Sequence, residues 1–285
     1  MNLKCDLHTH SLYSDGTCTP SELVSMAKEK AIAIALTDHN TTAGLSEFYK
    51  AAKEQGVCAV CGVEFSTEFF GNEYHVIGLF ISPEYYGFVE KRCEELVLRK
   101  EKSNRETVER LCAAGYKINY SDVKKRNNNG NINRAHIAAE LIEKGYVSSI
   151  QEAFDGLLSD GGSFYKSPKR LDAIEVISFL KEINAVSVLA HPLKDAEEAT
   201  LREFLVHAVK AGLDAIEVMH SSYDEKKICT SLEIANEFGL LKSGGSDFHG
   251  SNKPGISLGA GKGNLEIPYE YYENLFDVHK KRGAF

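Results

Sequence analysis

Apolar positions along this chain recur in short runs broken by polar residues at regular intervals. Leu3 and Leu7 alternate with polar neighbours, and that period of two places His8 and His10 on one side of a strand as it ends, within CDLHTHSLYSDG. Thr19 as N-cap, Pro20 at the first helical position and Glu22 three residues after the cap predict a helix running to about Lys30. AIAIALTDHN reads as a strand buried on both faces from about Ile32 to Thr37, with Asp38 and His39 at its end. A second helix spans roughly Thr42 to Gln55 and stops at Gly56. A third strand, Val57 to Phe65, carries Glu64, and the turn Phe70-Gly71-Asn72 leads into YHVIGLF, with His75 near the start of the fourth strand.

From about Pro83 the pattern changes. Residues 84–114 form a long, charge-laced amphipathic helical stretch, and 115–170 continue with short helical pieces and the polar loop NNNGN. Residues 84–170 are therefore expected to be an inserted helical cap subdomain in a domain made of 1–83 and 171–285. Alternation then resumes: a helix from Leu171 to Ile183, the strand VSVLA ending on His191-Pro192, and a helix around Glu198 to Ala211. LDAIEVM ends at His220, a helix runs to Phe238, and LLKSGGSDFHG brings Asp247 and His249. Strands that repeatedly deliver polar residues at their exits follow the logic of an α/β fold of the (β/α) barrel kind, here with about seven strands, because a packed barrel interior cannot host charges. A doubly wound open sheet is the alternative, since it also places sites at strand ends.

Composition narrows the function. A chain of 285 residues with 43% hydrophobic content can bury a sizeable core. Its net charge of −8 argues against a protein dedicated to duplex nucleic acid. No apolar run approaches the roughly 20 residues of a membrane helix, and the N-terminus lacks a secretory apolar segment, so a cytoplasmic protein is expected. Seven scattered cysteines suit free thiols, and the Cys58–Cys61 pair, inside VCAVCGVE with no second pair, reads as strand cysteines. Of ten histidines, six (8, 10, 39, 75, 191 and 249) lie at strand ends beside Asp15, Asp38, Glu64 or Asp247, while His207 and His279 are expected to be solvated. Imidazoles mixed with carboxylates, without a thiolate cage, point to catalytic Zn²⁺, Mn²⁺ or Fe²⁺.

The ordered series HTH…SDG, TDHN, GVE, a downstream His, AHP and SDFH, covering residues 5 to about 250, resembles the motifs of the polymerase and histidinol phosphatase (PHP) superfamily of metal-dependent phosphoesterases. The resemblance implies a distorted seven-stranded (β/α) barrel holding two to three divalent ions, Mn, Zn or Fe. Carried over by motif, His8, His10, Glu64 and Asp247 bind a first metal. Glu64 bridges to a second completed by His75 and His191, and Asp15, His39 and His249 hold a third. Asp38, beside a ligand, is expected to orient an imidazole. Asp15, Asp38, Glu64 and His249 are then the catalytic candidates, in phosphoester hydrolysis by a metal-bound hydroxide.

The form of the motifs and the insert with NRAHIA most resemble nucleotide-directed members of the superfamily, which hydrolyse nucleoside 3′,5′-bisphosphates or trim short RNA. Between Gly115 and Arg170, nine Lys and Arg face six acids, so a basic insert over the metal pocket is expected to suit a second substrate phosphate. Arg134 and His136, opening the apolar helical run INRAHIAAELI, are the main candidates to hold it, followed by Lys166, beside Tyr165, and His220. The expected partner is a small phosphorylated molecule, with no duplex nucleic acid and no membrane. Histidinol phosphate is the alternative substrate, and a metal-binding regulatory module without turnover is the alternative from another class.

Overall fold

A computed structural model describes residues 4–126, 132–194 and 196–283; the expected loop Asn127–Asn131 lies outside them. Internal packing divides the chain into two units, one ending at Lys91 and resuming at Leu171, the other Arg92–Arg170.

Among the described residues the first unit carries eight strands: β1 (Lys4–Asp6), β2 (Ile32–Leu36), β3 (Ala59–Phe69), β4 (Asn72–Leu79), β5 (Leu171–Asp172), β6 (Val186–Ala190), β7 (Ala215–His220) and β8 (Leu241–Gly245). Seven of them follow one path, β1-β2-β3-β4-β6-β7-β8, and the two-residue β5 pairs with β3 beside it. The path is a nearly closed barrel with one seam, between β8 and β1. Backbone bonds bridge that seam: Leu7 N to Gly244 O at 3.1 Å, Asp247 N to His8 O at 2.9 Å and His10 N to Phe248 O at 2.9 Å. Strand residues such as Ile34, Leu36, Val186 and Val188 are fully buried, as expected of strands covered on both faces.

One strand departs from the barrel rule. β4 runs antiparallel to both β3 and β6, so the start of β4, not its end, lies where the other strands exit. His75 pairs with Ser66 near the far end of β3 and with Ala190 at the end of β6, and it reaches the common rim for that reason. The hairpin turn has positive φ at Phe70 (46°) and Gly71 (82°), the twist that two-residue hairpins favour.

The α-helices among the described residues are α1 (Pro20–Lys30), α2 (Leu45–Gln55), α3 (Tyr86–Ala113), α4 (Tyr120–Lys125), α5 (Arg134–Glu143), α6 (Ile150–Asp155), α7 (Ala173–Glu182), α8 (Glu198–Ala211), α9 (Glu225–Phe238) and α10 (Tyr269–Lys281). The expected capping box at Thr19 and Glu22 forms, and Gly56 ends α2 in the left-handed conformation. The helix expected from Leu171 starts at Ala173 instead. The Asp172 carboxylate accepts the N–H groups of Ile174 and Glu175, which fixes Asp172 as an extended N-cap and frees Leu171–Asp172 to pair as β5. His279 is also not solvated: it is buried, its Nδ1 lies 2.9 Å from Asn184 O, and its ring stacks on Phe80. His207 is exposed.

The second unit has a core of its own around Val108, Leu111, Val123, Ile137, Leu141 and Leu158. No helix among the described residues is long and apolar enough to cross a membrane.

The seam is tight. A Cβ added at Gly245 would lie 2.1 Å from His8 Cβ and 2.7 Å from His8 N, so β8 approaches β1 this closely only with glycine. Gly245→Ala is expected to destabilise the protein by about 3 kcal/mol, the upper end for overpacking a rigid site. An unchanged denaturant midpoint would show that the seam yields freely.

Candidate metal centre

Every residue of the centre is carried by the rim where the strands of the first unit exit. The sequence continues from β1 into His8 and His10, from β2 into His39 and from β8 into Asp247 and His249; Glu64, opposite Ile77, and His75, opposite Ser66, meet diagonally across the β3–β4 hairpin. Two of these residues occupy the left-handed backbone region, His191 with φ 30° and Asp247 with φ 56°. Such conformations cost about 1–3 kcal/mol and persist where surrounding contacts over-determine them.

Four groups of side chains bring ligand atoms within 4.8 Å of one another: His8, His10 and Asp247; His8, Glu64 and His191; His39, Glu64 and His75; and His10, Asp15, His39 and His249. All nine expected metal ligands are thus assembled. Glu64 is the hub. Its Oε2 lies 3.1 Å from His8 Nε2, 3.3 Å from His10 Nε2 and 3.0 Å from His39 Nδ1, while Oε1 lies 2.7 Å from His75 Nδ1 and 3.1 Å from His191 Nε2. Asp247 Oδ1 lies 3.4 Å from both His10 Nε2 and His249 Nδ1, and Asp15 Oδ1 lies 3.1 Å from His249 Nε2. His39 stands between two groups: its Nδ1 faces Glu64 while its Nε2 is 3.8 Å from Asp15.

This donor set fits divalent metals. His10 Nδ1, His39 Nδ1, Glu64 Oε2 and His249 Nε2 are buried without a well-formed hydrogen bond, a costly arrangement for atoms with nothing to bind. Burial opposes ionisation of Glu64 and Asp247, yet the surrounding imidazoles outweigh it and hold both carboxyls well below the usual range. Burial equally opposes charging of His10 and His75, but Asp247 and Glu64 beside the first and Glu64 beside the second push each up to about 9. His191 goes the other way, pulled down to about 4 by burial. The carboxylates therefore draw positive charge into the pocket, from protons where no metal supplies it. No cysteine belongs to any of the groups among the described residues, and Cys61 is buried in β3 with Cys58 just before it.

Around the ligands the structure differs from expectation in instructive ways. Asp38 meets hydroxyls and an amide instead of an imidazole: it accepts from Ser11 N at 2.7 Å, Ser11 Oγ at 2.6 Å and Ser14 Oγ at 2.6 Å, clasping the loop that leads to Asp15. His220 sits at the centre itself, with Nε2 3.4 Å from Asp247 Oδ2 and Nδ1 2.8 Å from Ser222 Oγ. Three further residues escaped sequence reasoning. Asp6, fully buried, accepts from Ser246 N and Oγ and from Gly259 N. Lys253 places Nζ 2.6 Å from Asp247 Oδ2. Glu217, fully buried, accepts from His8 Nδ1 at 3.0 Å and from the backbone N–H of His191 at 2.6 Å. The signal for Asp6 and Glu217 was an acid inside an apolar strand.

The remaining candidates belong to the second unit. Arg134 opens α5, with Nη1 2.9 Å from Asp160 and 3.2 Å from Leu158 O, and its guanidinium lies over the rings of Phe154 and Tyr165. Those contacts tie Arg134 into its unit, and Tyr165 is packed in the core there. His136 Nδ1 accepts from Asn133 N at 3.0 Å in a capping box, and the side chain of Lys166 is exposed.

Comparison with known proteins agrees with this architecture. A domain family described as "PHP domain" matches residues 6–158, more than half of the chain. A 5′-3′ exoribonuclease of Haemophilus influenzae is 33% identical over 87% of this chain and 91% of its own length. A 3′,5′-nucleoside bisphosphate phosphatase of Chromobacterium violaceum is 30% identical over 89% of this chain and 90% of its own. Among solved structures, a Bifidobacterium adolescentis protein assigned as a metal-dependent phosphoesterase superposes with a TM-score of 0.76 at 27% identity, covering 96% of both chains. With a matching domain and relatives that span nearly its whole length, the chain belongs to the PHP domain family of metal-dependent phosphoesterases.

Proposed function

We propose that the protein hydrolyses the phosphomonoester of a nucleotide-type substrate, a nucleoside 3′,5′-bisphosphate or a short oligoribonucleotide, at a centre of two to three divalent ions held by His8, His10, Asp15, His39, Glu64, His75, His191, Asp247 and His249. The observation that carries this reading is Glu64, whose two carboxylate oxygens face two different sets of imidazoles, as a carboxylate shared between ions would. The activities of the two relatives above supply the substrate class.

Divalent ions bound there supply Lewis acidity to the phosphoryl oxygens and acidify a water for attack. The chain's own residues do the rest. His8, His10 and Glu64 are fully buried, whereas the side chains of Asp15, His39 and His75 are 53%, 25% and 19% exposed, so the phosphate approaches from the side of these three. His249 Nδ1 donates to the Asp247 carbonyl at 2.8 Å, which turns its Nε2 toward Asp15. Asp38 holds Ser11 and Ser14, and with them the loop on which Asp15 stands. Lys253 and His220 grip the outer oxygen of Asp247, leaving the other for the centre. In the second unit, Arg134, His136 and Lys166 have the chemistry to hold an anion.

Glu64→Gln is expected to remove about two metal ions per chain at once, since one carboxylate serves both; full metal content by elemental analysis would refute its sharing. Asp15→Asn should lower kcat roughly a hundredfold while changing KM less, the scale of losing one strong electrostatic stabiliser. Steady-state kinetics with normal turnover would remove Asp15 from that role. For the substrate, phosphate release from a panel should rank a nucleoside 3′,5′-bisphosphate above a nucleoside monophosphate and above histidinol phosphate. A preference for histidinol phosphate would overturn the nucleotide reading and leave the metal centre standing. Arg134→Ala should weaken bisphosphate cleavage while sparing a small aryl phosphate, whereas equal loss on both assigns Arg134 to the fold of its unit.

A further inference from the structure

Glu217 belongs to none of the four groups, yet its buried carboxylate serves two expected ligands at once, His8 and His191, which meet at Glu64. Its Oε1 takes the hydrogen bond of His8 Nδ1 at 3.0 Å, and its Oε2 takes the backbone N–H of His191 at 2.6 Å. His8 stands just past β1 and His191 just past β6, and Glu217 lies on β7. The bond to His8 turns the opposite ring nitrogen, Nε2, toward Glu64 Oε2 at 3.1 Å. The bond to His191 holds the N–H of a residue whose φ is 30°, and its Nε2 then lies 3.1 Å from Glu64 Oε1. A break in strand register makes this possible. In a regular strand, residues 217 and 220 would point to opposite faces. The β7–β8 pairing slips between Glu217 and Met219, and that bulge brings both Glu217 and His220 to the centre.

We infer that Glu217 is a positioning residue that sets two neighbouring ligands together, fixing the ring of His8 and the backbone of His191, so that neither is set without the other. The inference rests on the ligand assignment proposed above. It makes a distinctive demand on chemistry, because both contacts require an acceptor oxygen. Glutamine offers one oxygen and one amide NH₂ in nearly the same volume. If that oxygen serves His191, the NH₂ faces His8 Nδ1 and forces the ring to carry its proton at Nε2, the atom needed for the metal. If it serves His8, the N–H of His191 meets a donor and loses its hold.

The test is Mn²⁺ binding to the metal-stripped full-length protein, followed by calorimetry and by elemental analysis after dialysis. Glu217→Gln is expected to weaken binding roughly 10–100-fold at the positions served by His8 and His191, the usual consequence of losing an outer partner of a metal ligand. The ion held by Asp15, His39 and His249 should be retained, and the melting midpoint of the metal-free protein should stay within a few degrees of the parent. Glu217→Asp keeps both acceptors but draws them back by one methylene. It serves the same comparison should the glutamine variant fail to fold, with weakened binding again expected. Either folded variant binding Mn²⁺ with the parent's number and affinity overturns the role of Glu217. A parent protein that binds neither Mn²⁺ nor Zn²⁺ nor Fe²⁺ refutes the ligand assignment itself, and the inference with it.

Discussion

Three acids buried side by side set the terms for the whole first unit. Glu64 and Glu217 are fully buried and Asp247 nearly so, all within reach of His8. Isolated carboxylates in such a place would cost several kcal/mol each, and only compensating positive charge and complete hydrogen bonding make the arrangement tolerable. The barrel supplies the means. Imidazoles point inward at one rim from beyond the ends of β1, β2, β6 and β8 and from the start of β4, and the carboxylates then pull positive charge into the pocket they share. Affinity for cations is thus a requirement of the fold here as much as of the chemistry.

Most of the centre was legible because its residue types are conspicuous: a histidine or acid closing an apolar run has no packing reason to be there. His8, His10, Asp38, His39, His191, Asp247 and His249 all announced themselves in that way, and the ordered motifs assigned them together. What stayed hidden follows from geometry that sequence period does not carry. Glu217 sits three residues before His220, so strand alternation assigns the two to opposite faces, and only the register slip reconciles them. Asp6 closes β1 two residues before His8, yet its partners, Ser246 and Gly259, lie on the far side of the seam. Asp38 lies beside the centre but meets serines where an imidazole is expected, because the serines it clasps are ordinary loop residues in the sequence.

The fold shows the same division. The capping box at Thr19 and the stop at Gly56 follow local chemistry and formed where expected, whereas the direction of β4 depends on a two-residue turn joining two long strands. β5 was masked by the apolar residues that follow it, until the carboxylate of Asp172 fixed where α7 begins. The second unit shows what charge counting overlooks: Arg126 is paired with Glu140 and Glu143, Lys124 with Glu101 and Arg134 with Asp160, so much of its basic surplus is spent on its own acids.

The seam between β8 and β1 joins the two ends of the chain's chemistry. Residues 8 and 10 meet residues 247 and 249 there, although they lie far apart in the sequence. With the seam open, the group formed by His8, His10 and Asp247 cannot close, because Asp247 follows β8 while both imidazoles follow β1. That group therefore reports closure of the barrel, since its members come from both sides of the seam.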